Sequence, residues 1–304
     1  MGYTNAADPY LIDGGHGMTL LTKYALIAGS IMAAFINFIA CGTQAFKASL
    51  VGDHMPSRGV LQANSDDPTS PEFGLHAPKG WAELPIPYKI DTNMTVTQLQ
   101  ALRAAITTWE TAVGRRLFDF GGKHSGVTGD SFPDLFSSLR DGLNGHYNDA
   151  NWKKTGKTEV ILATTIWNNP GNTYYSIDAA DIRYNSEVYY ISDALQDKPV
   201  DQREIVDMQS LATHELGHLL GLAHVEEDHD PSSIMNPSIF IGQGIATRSL
   251  SLGDIQRIQK IYGCQGSSCD VVATARYIMQ TRNEVESDTV DEDNGSSNTG
   301  EPSH

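Results

Sequence analysis

Apolar positions along this chain follow two periods. Leu99, Leu102, Ile106, Trp109 and Val113 recur at spacings of three and four, one face of a helix, and Gly114 stands where that helix should end. Thr97 followed by Gln100 supplies a capping-box pattern for its start. Other stretches have the texture of strands. Residues 84–91 (LPIPYKID), 158–167 (TEVILATTIW), 172–178 (NTYYSID) and 180–192 (ADIRYNSEVYYIS) are rich in β-branched and aromatic residues. From Asp201 the pattern turns helical again and runs into residues 213–224, THELGHLLGLAH. A last helix opens at Ser251 with Asp254 at its third position, and turns Ile255, Ile258 and Tyr262 inward before Gly263. Elements in this order make an α+β domain over residues 82–270. The stretch 121–151 reads as loops around a short helical piece at 134–140. Its carboxylates offer oxygen ligands to a structural Ca2+, but without the fixed spacing of a calcium loop, which favours a solvated loop.

The two ends differ in texture. Residues 24–40 are an uncharged apolar run preceded by Lys23, the pattern of a secretory signal, and Met18 is an alternative start. Residues 1–40 are therefore read as a signal peptide, with an uncleaved N-terminal anchor as the other reading. Residues 41–81, rich in Pro, Ser, Gly and Asp, read as a lipid-anchor tether or a short pro-segment. Residues 271–304 read as a short helical piece and a disordered acidic tail; 283–304 carry no Lys or Arg and too few apolar residues to offset the entropy of ordering. The formal net charge of −16 argues against nucleic acid as a partner, because phosphate binding needs a basic surface. The chain is expected to be exported into an oxidising compartment, either secreted or held at a membrane by an N-terminal lipid or anchor. Its cysteines agree. Cys264 and Cys269 are close enough to close a small loop as a disulfide, two free thiols being the alternative. FIAC (38–41) resembles the lipobox of bacterial lipoproteins, which implies cleavage before Cys41 and lipid on that residue.

Residues 213–224 hold three histidines and a glutamate. His214 and His218 are four apart, so on a helix they lie one turn above each other on the same face. Both imidazoles can reach one ion, a zinc-like arrangement, and Glu215 stands beside that ion, placed to take a proton from an activated water. Gly221 can adopt the left-handed conformation that ends the helix and reverses the chain. That turn returns His224 as a third ligand, and three neutral histidines leave zinc the open position of a catalytic site. His16, His54, His76, His124, His229 and His304 have no such spacing and read as surface or structural residues. His146, in GHYND, is kept as a candidate for a second metal.

The pattern H-E-x-x-H-x-x-G-x-x-H at 214–224 resembles that of the metzincin zinc endopeptidases. SSIMNP (232–237) looks like their Met-turn, with Met235 as its methionine and Pro237 two residues on. Pro237 is similar to the matrixin branch, as are 84–91, the helix around Trp109, 179–185 and 250–263, all in order along residues 82–263. This resemblance implies a twisted, mostly parallel sheet with an antiparallel edge strand, two long helices (one carrying the histidines), a Met-turn and a C-terminal helix. It also implies one catalytic Zn2+ on His214, His218 and His224, Glu215 as the base, and hydrolysis of an extended peptide or protein substrate. Such a substrate would pair with an edge strand, for which Thr173, Tyr174 and Tyr175 are the candidates. Residues 236–249 would wall a side-chain pocket, with Ile239 and Phe240 pointing to an apolar preference. The chain departs from the animal matrixins in three places. No Cys other than Cys41 precedes the domain, so thiol latency is not implied; Val225 follows the third histidine where a Ser is favoured; and Gly253–Asp254 stands for two adjacent Asp, leaving Asp254 as the residue that supports the Met-turn. The rival reading is a catalytically silent surface-binding protein on the same fold. Glu215 disfavours it, because such binders can lose the base.

Overall fold

The computed structural model describes residues 46–54, 67–168 and 176–288. The apolar run 24–40, Cys41 and Thr173, Tyr174 and Tyr175 lie outside the described residues. In chain order the first elements are β1 (Phe46–His54), β2 (Gly80–Trp81), β3 (Ile86–Ile90), α1 (Val96–Val113), β4 (Phe118–Lys123), β5 (Gly145–Asn148) and β6 (Ile161–Asn168). They are followed by β7 (Ser176–Ile177), β8 (Ala179–Tyr184), β9 (Tyr190–Ser192) and β10 (Ile205–Asp207). Last come α2 (Met208–Leu219), β11 (Ser238–Ile241), α3 (Leu252–Tyr262) and α4 (Val271–Asp288).

Seven strands form one sheet in the order β11-β1-β6-β8-β5-β3-β4. The contacts β3/β4, β3/β5, β5/β8 and β1/β6 are parallel, whereas β6/β8 and β1/β11 are antiparallel. The sheet is mostly parallel, and the mix is that of an α/β protein with its helices laid on it. Two strands run against a neighbour: β11, antiparallel to β1 at one edge of the sheet as expected, and β6, antiparallel to β8 inside it. β1 pairs along the outer side of β6, Ser49 opposite Ile161 through His54 opposite Trp167, and β11 pairs on the far side of β1. A segment read as tether or pro-segment thus supplies a strand inside the sheet. The same segment also reaches the core. Leu75 and Ala77 are fully buried and Leu75 bridges to Leu222, so the folded unit begins well before residue 82.

Helix α1 shows how one sequence offers two caps. Thr95 accepts from the Gln98 amide at 3.1 Å and Gln98 Oε1 accepts from the Thr95 amide at 3.0 Å, the reciprocal bonds of a capping box. Thr97 and Gln100 have the same spacing but lie inside the helix. Tertiary contacts decide, since the buried Gln98 donates to the Ile191 carbonyl and accepts from Asn148. Trp109, fully buried, faces α2 and donates from Nε1 to the Thr213 carbonyl at 2.8 Å. The helix expected from Asp201 starts later. Ile205–Asp207 pair as a strand with β9, and Asp207 caps α2 by accepting from the Ser210 amide at 2.9 Å. The run 180–192 is likewise broken in two, because Asn185 bonds the carbonyls of Glu159 and Ile161 and accepts from the Val188 amide.

In the loops between β4 and β6 a guanidinium pairs with one of the carboxylates. Arg183, fully buried, makes two bonds to Asp149 at 2.7 and 3.1 Å and reaches the carbonyls of Gly129, Asp134 and Leu135. It ties this region to β8 with charge-assisted hydrogen bonds. At the other end, Cys264 and Cys269 are joined as a disulfide. Beyond them α4 extends to Asp288, into the segment read as an acidic tail, held to the body by buried Thr274 and Ile278.

Candidate metal and catalytic centre

Helix α2 carries His214, Glu215 and His218, all of them fully or almost fully buried. Its C-terminal carbonyls, which have no partner within the helix, are taken up by side chains. Trp81 donates to Leu219 at 2.8 Å, Tyr262 to Leu220 at 2.8 Å and His76 to His218 at 2.7 Å. Gly221 then reverses the chain at φ 107°. A Cβ at this glycine would also lie 2.6 Å from the Ala77 carbonyl, so conformation and close approach both require Gly. The turn is clamped by residues 74–77, which receive and supply backbone hydrogen bonds at Gly221 and Ala223.

After that turn His224 comes back against the helix. Its Nε2 lies 3.1 Å from His218 Nε2 and 3.3 Å from His214 Nε2. Four ligands on a tetrahedral zinc, each about 2.0–2.1 Å from it, are separated by about 3.3 Å, which both His224 distances match, and all three residues offer a ligand atom within 4.8 Å of one another. The opposite ring nitrogens fix this orientation. His214 Nδ1 donates to the Ile234 carbonyl at 2.6 Å and His218 Nδ1 to the Leu222 carbonyl at 2.8 Å, which leaves each Nε2 as the lone-pair atom. Burial pushes the His214 pKa down to about 3 and that of His224 to about 4, and holds that of His218 well below its ordinary value, with the neighbouring histidines adding to the effect at His214 and His218. All three are therefore neutral donors at ordinary pH. Among the described residues this trio is the one cluster of metal-ligating side chains. His146 is not part of a second one; it is fully buried beside the Tyr184 hydroxyl at 3.1 Å.

Below the histidines the chain from Val225 to Asn236 folds back on itself. The Val225 amide donates to the Met235 carbonyl at 3.0 Å and Asn236 Nδ2 to the Val225 carbonyl at 2.8 Å. Met235 is fully buried, and Pro237 leads directly into β11. Asp254 of α3 sits beneath this turn, accepting from Ser233 Oγ at 2.6 Å, the Ile234 amide at 2.8 Å and the Ser251 amide at 2.9 Å. The Ile234 amide thus binds Asp254 while its carbonyl binds His214, so α3 reaches the metal site through one residue. Arg257 balances the buried carboxylate at 2.7 Å.

The Matrixin family model matches residues 81–263. The chain belongs to the matrixin family. Matrilysin from Felis catus is 41% identical to this matrixin over 63 residues, 21% of this chain and 22% of that protein. Metalloendoproteinase 1-MMP from Arabidopsis thaliana is 33% identical over 94 residues, 31% of this chain and 22% of that protein. Metalloendoproteinase 2-MMP from the same plant is 47% identical over 60 residues, 19% of this chain and 14% of that protein. The chain therefore matches less than a quarter of each of these relatives. Among solved structures, the hatching-enzyme zinc protease high choriolytic enzyme 1 of Oryzias latipes aligns over 68% of this chain and 94% of its own, with a TM-score of 0.31 and 12% identity.

Sequence reasoning missed three residues around the matrixin site. Thr165 on β6 bonds the Glu215 side chain, His76 bonds the His218 carbonyl, and Trp167 stacks on His76 with ring centroids 4.1 Å apart. None has a spacing relation to 214–224 that a pattern could reveal. Of the residues expected to wall a pocket, Ile239 is buried in the core and Phe240 is exposed.

Proposed function

We propose that this matrixin is an exported zinc-dependent endopeptidase acting on extended peptides or proteins. The observation that carries the reading is His224 Nε2 lying 3.1 Å from His218 Nε2 and 3.3 Å from His214 Nε2, with Glu215 in the helical position after His214. His214, His218 and His224 would hold one zinc ion, which supplies Lewis acidity to a water and to a peptide carbonyl. Glu215 takes the proton of that water on its carboxylate and hands it to the departing amine, so the peptide bond gains one water in total. The buried setting keeps bulk water away from the carboxylate and the histidines. Export rests on the apolar run 24–40, and a membrane attachment, if Cys41 carries lipid, would leave the domain outside the cell.

The pro-segment reading of 41–81 gains support from the sheet. An extended substrate needs an open strand edge next to the histidine helix. In this chain β1 lies along β6 and offers its other side to β11, the strand that follows Met235 and Pro237. We therefore assign β1 as an internal occupant of the substrate channel, and the chain as latent until residues 46–54 leave.

The test uses the zinc-loaded chain, before and after limited proteolysis of the N-terminal segment, on a diverse peptide library with cut sites read by mass spectrometry. Cuts that disappear in Glu215→Ala and with a zinc chelator are expected. A folded, zinc-loaded and processed chain that cuts nothing would move the assignment to the silent surface binder.

A further inference from the structure

A short contact to the Glu215 side chain comes from outside its own helix. Thr165 lies on β6 with no exposed surface, and its hydroxyl is 2.6 Å from Glu215 Oε2 and 3.0 Å from the Glu215 backbone carbonyl. A hydroxyl has one proton to give. The shorter contact and the charge of the carboxylate direct it to Oε2, since hydrogen bonds to ionised acceptors are shorter and stronger than those to neutral ones. Thr165 is itself held in place. It is β-branched, which restricts its first side-chain torsion, and its backbone is paired opposite Ile182 in the sheet. The donor is therefore fixed to the sheet, and the acceptor is the buried Glu215 side chain of α2.

We propose that Thr165 is a positioning residue for the Glu215 carboxylate: its hydroxyl anchors Oε2, and so assigns Oε1 as the oxygen that receives the proton from water. This inference rests on the endopeptidase reading and deepens it. Two consequences distinguish positioning from mere packing. A carboxylate without that bond is held less closely toward the reacting water, which lowers kcat while leaving substrate binding alone. The role also belongs to the hydroxyl and not to the methyl group of Thr165, so Ser retains it and the isosteric Val does not.

The experiment compares the zinc-loaded full chain with Thr165→Val and Thr165→Ser, each processed identically, with zinc content and thermal unfolding measured on every sample. Thr165→Val should lose kcat by roughly 10- to 100-fold with KM within about twofold, the scale expected for one hydrogen bond to a charged group. Thr165→Ser should stay within about threefold of the parent. A second arm needs no turnover. A peptide hydroxamate chelates zinc and gives its hydroxyl proton to the adjacent carboxylate, so its Kd, measured by calorimetry, should weaken in Thr165→Val and recover in Thr165→Ser. Equal kinetics and equal hydroxamate affinity in parent and Thr165→Val overturn the proposal, as does an equal loss in both variants or a loss that tracks zinc content. If Thr165→Val does not fold, Thr165→Ala against Thr165→Ser carries the same comparison. A parent that cuts no peptide refutes the endopeptidase reading instead, and the hydroxamate arm still decides the role of Thr165.

Discussion

The sulfur of Met235 lies directly over the backbone of Gly217: a Cβ built on that glycine would stand 2.3 Å from Met235 Sδ and 3.2 Å from the Trp109 ring. Helix α2, the Met235 turn and α1 meet at this point with no room for a methyl group. Gly217→Ala sets two effects against each other. Alanine favours an exposed helix interior over glycine by about 1 kcal/mol, whereas overpacking a tight core costs about 1–3 kcal/mol. With a 2.3 Å contact to resolve, overpacking wins, and net destabilisation is expected. Denaturant unfolding of Gly217→Ala, Met235→Ala and the double variant checks this. The two changes should be strongly coupled, with Gly217→Ala costing far less once Met235 is truncated. Additive costs would mean that the two residues do not compete for space.

Asp254 should matter to metal binding although it touches no ligand. Its carboxylate fixes the Ile234 amide, and the Ile234 carbonyl fixes His214. Asp254→Ala removes that support and one of the two carboxylates paired with Arg257, leaving Asp230 at 3.1 Å as its partner. Zinc affinity should fall by roughly 10- to 100-fold, as it does when the partners of metal-bound histidines are lost. Competition with a chromophoric chelator measures this. Unchanged zinc affinity in a destabilised variant would confine Asp254 to a structural role.

Asp181 gives a pH test independent of the metal. Burial raises its pKa to about 8, opposed by the Gly145 amide, which donates to Oδ1 at 2.7 Å. In the unfolded chain the same group titrates near the ordinary carboxylate value of about 3.9. Between these values the folded protein holds a proton that the unfolded chain has released. The Asp181 contribution to stability must therefore fall as pH rises through that window, and level off above it. Asp181→Asn keeps an acceptor for the Gly145 amide and removes the titration. The variant should match the parent near pH 4 and exceed it in thermal stability near pH 8. His146 acts on the acid side, because its pKa is lowered to about 3 by burial, so its contribution is lost as pH falls below the ordinary histidine value. That effect is common to both proteins and cancels in the comparison. A constant stability difference from pH 4 to 8 would refute the assignment.

Legibility followed the range of each interaction. The α2 histidines, the Gly221 reversal and the Ser251–Asp254 cap are set by neighbours within a few residues, and periodicity reveals such relations. The Thr95 and Thr97 caps are locally equivalent, and contacts from Ile191 and Asn148 selected the first. Thr164 and Thr165 are identical neighbours whose side chains alternate across the sheet, so only the register of β6 sends one hydroxyl to Glu215. Arg183 carries a buried charge that no pattern would place inside, because its partners come from three separate loops. β1 was hidden for the same reason: its pairing partners lie far along the chain, and its flanks have the composition of a linker.

That strand gives the last prediction. Residues 46–54 are joined to the domain by the stretch 55–66, which contains Arg58, a site for a trypsin-like protease. While attached, the segment competes with substrate at an effective concentration of about millimolar, so latency should be strong even if the pairing is weak. Cleavage at Arg58 should raise turnover of a quenched fluorescent peptide, and Arg58→Gln should delay the rise under the same protease. A synthetic peptide spanning residues 46–54 should inhibit the processed chain by competing with substrate, at concentrations far above those in which the intact chain is silent. Two results would sink the idea. Turnover equal before and after cleavage would show that β1 does not obstruct the channel. A cleaved chain that loses its thermal transition and gains no activity would make β1 an ordinary strand of the sheet, held there for stability and not for control.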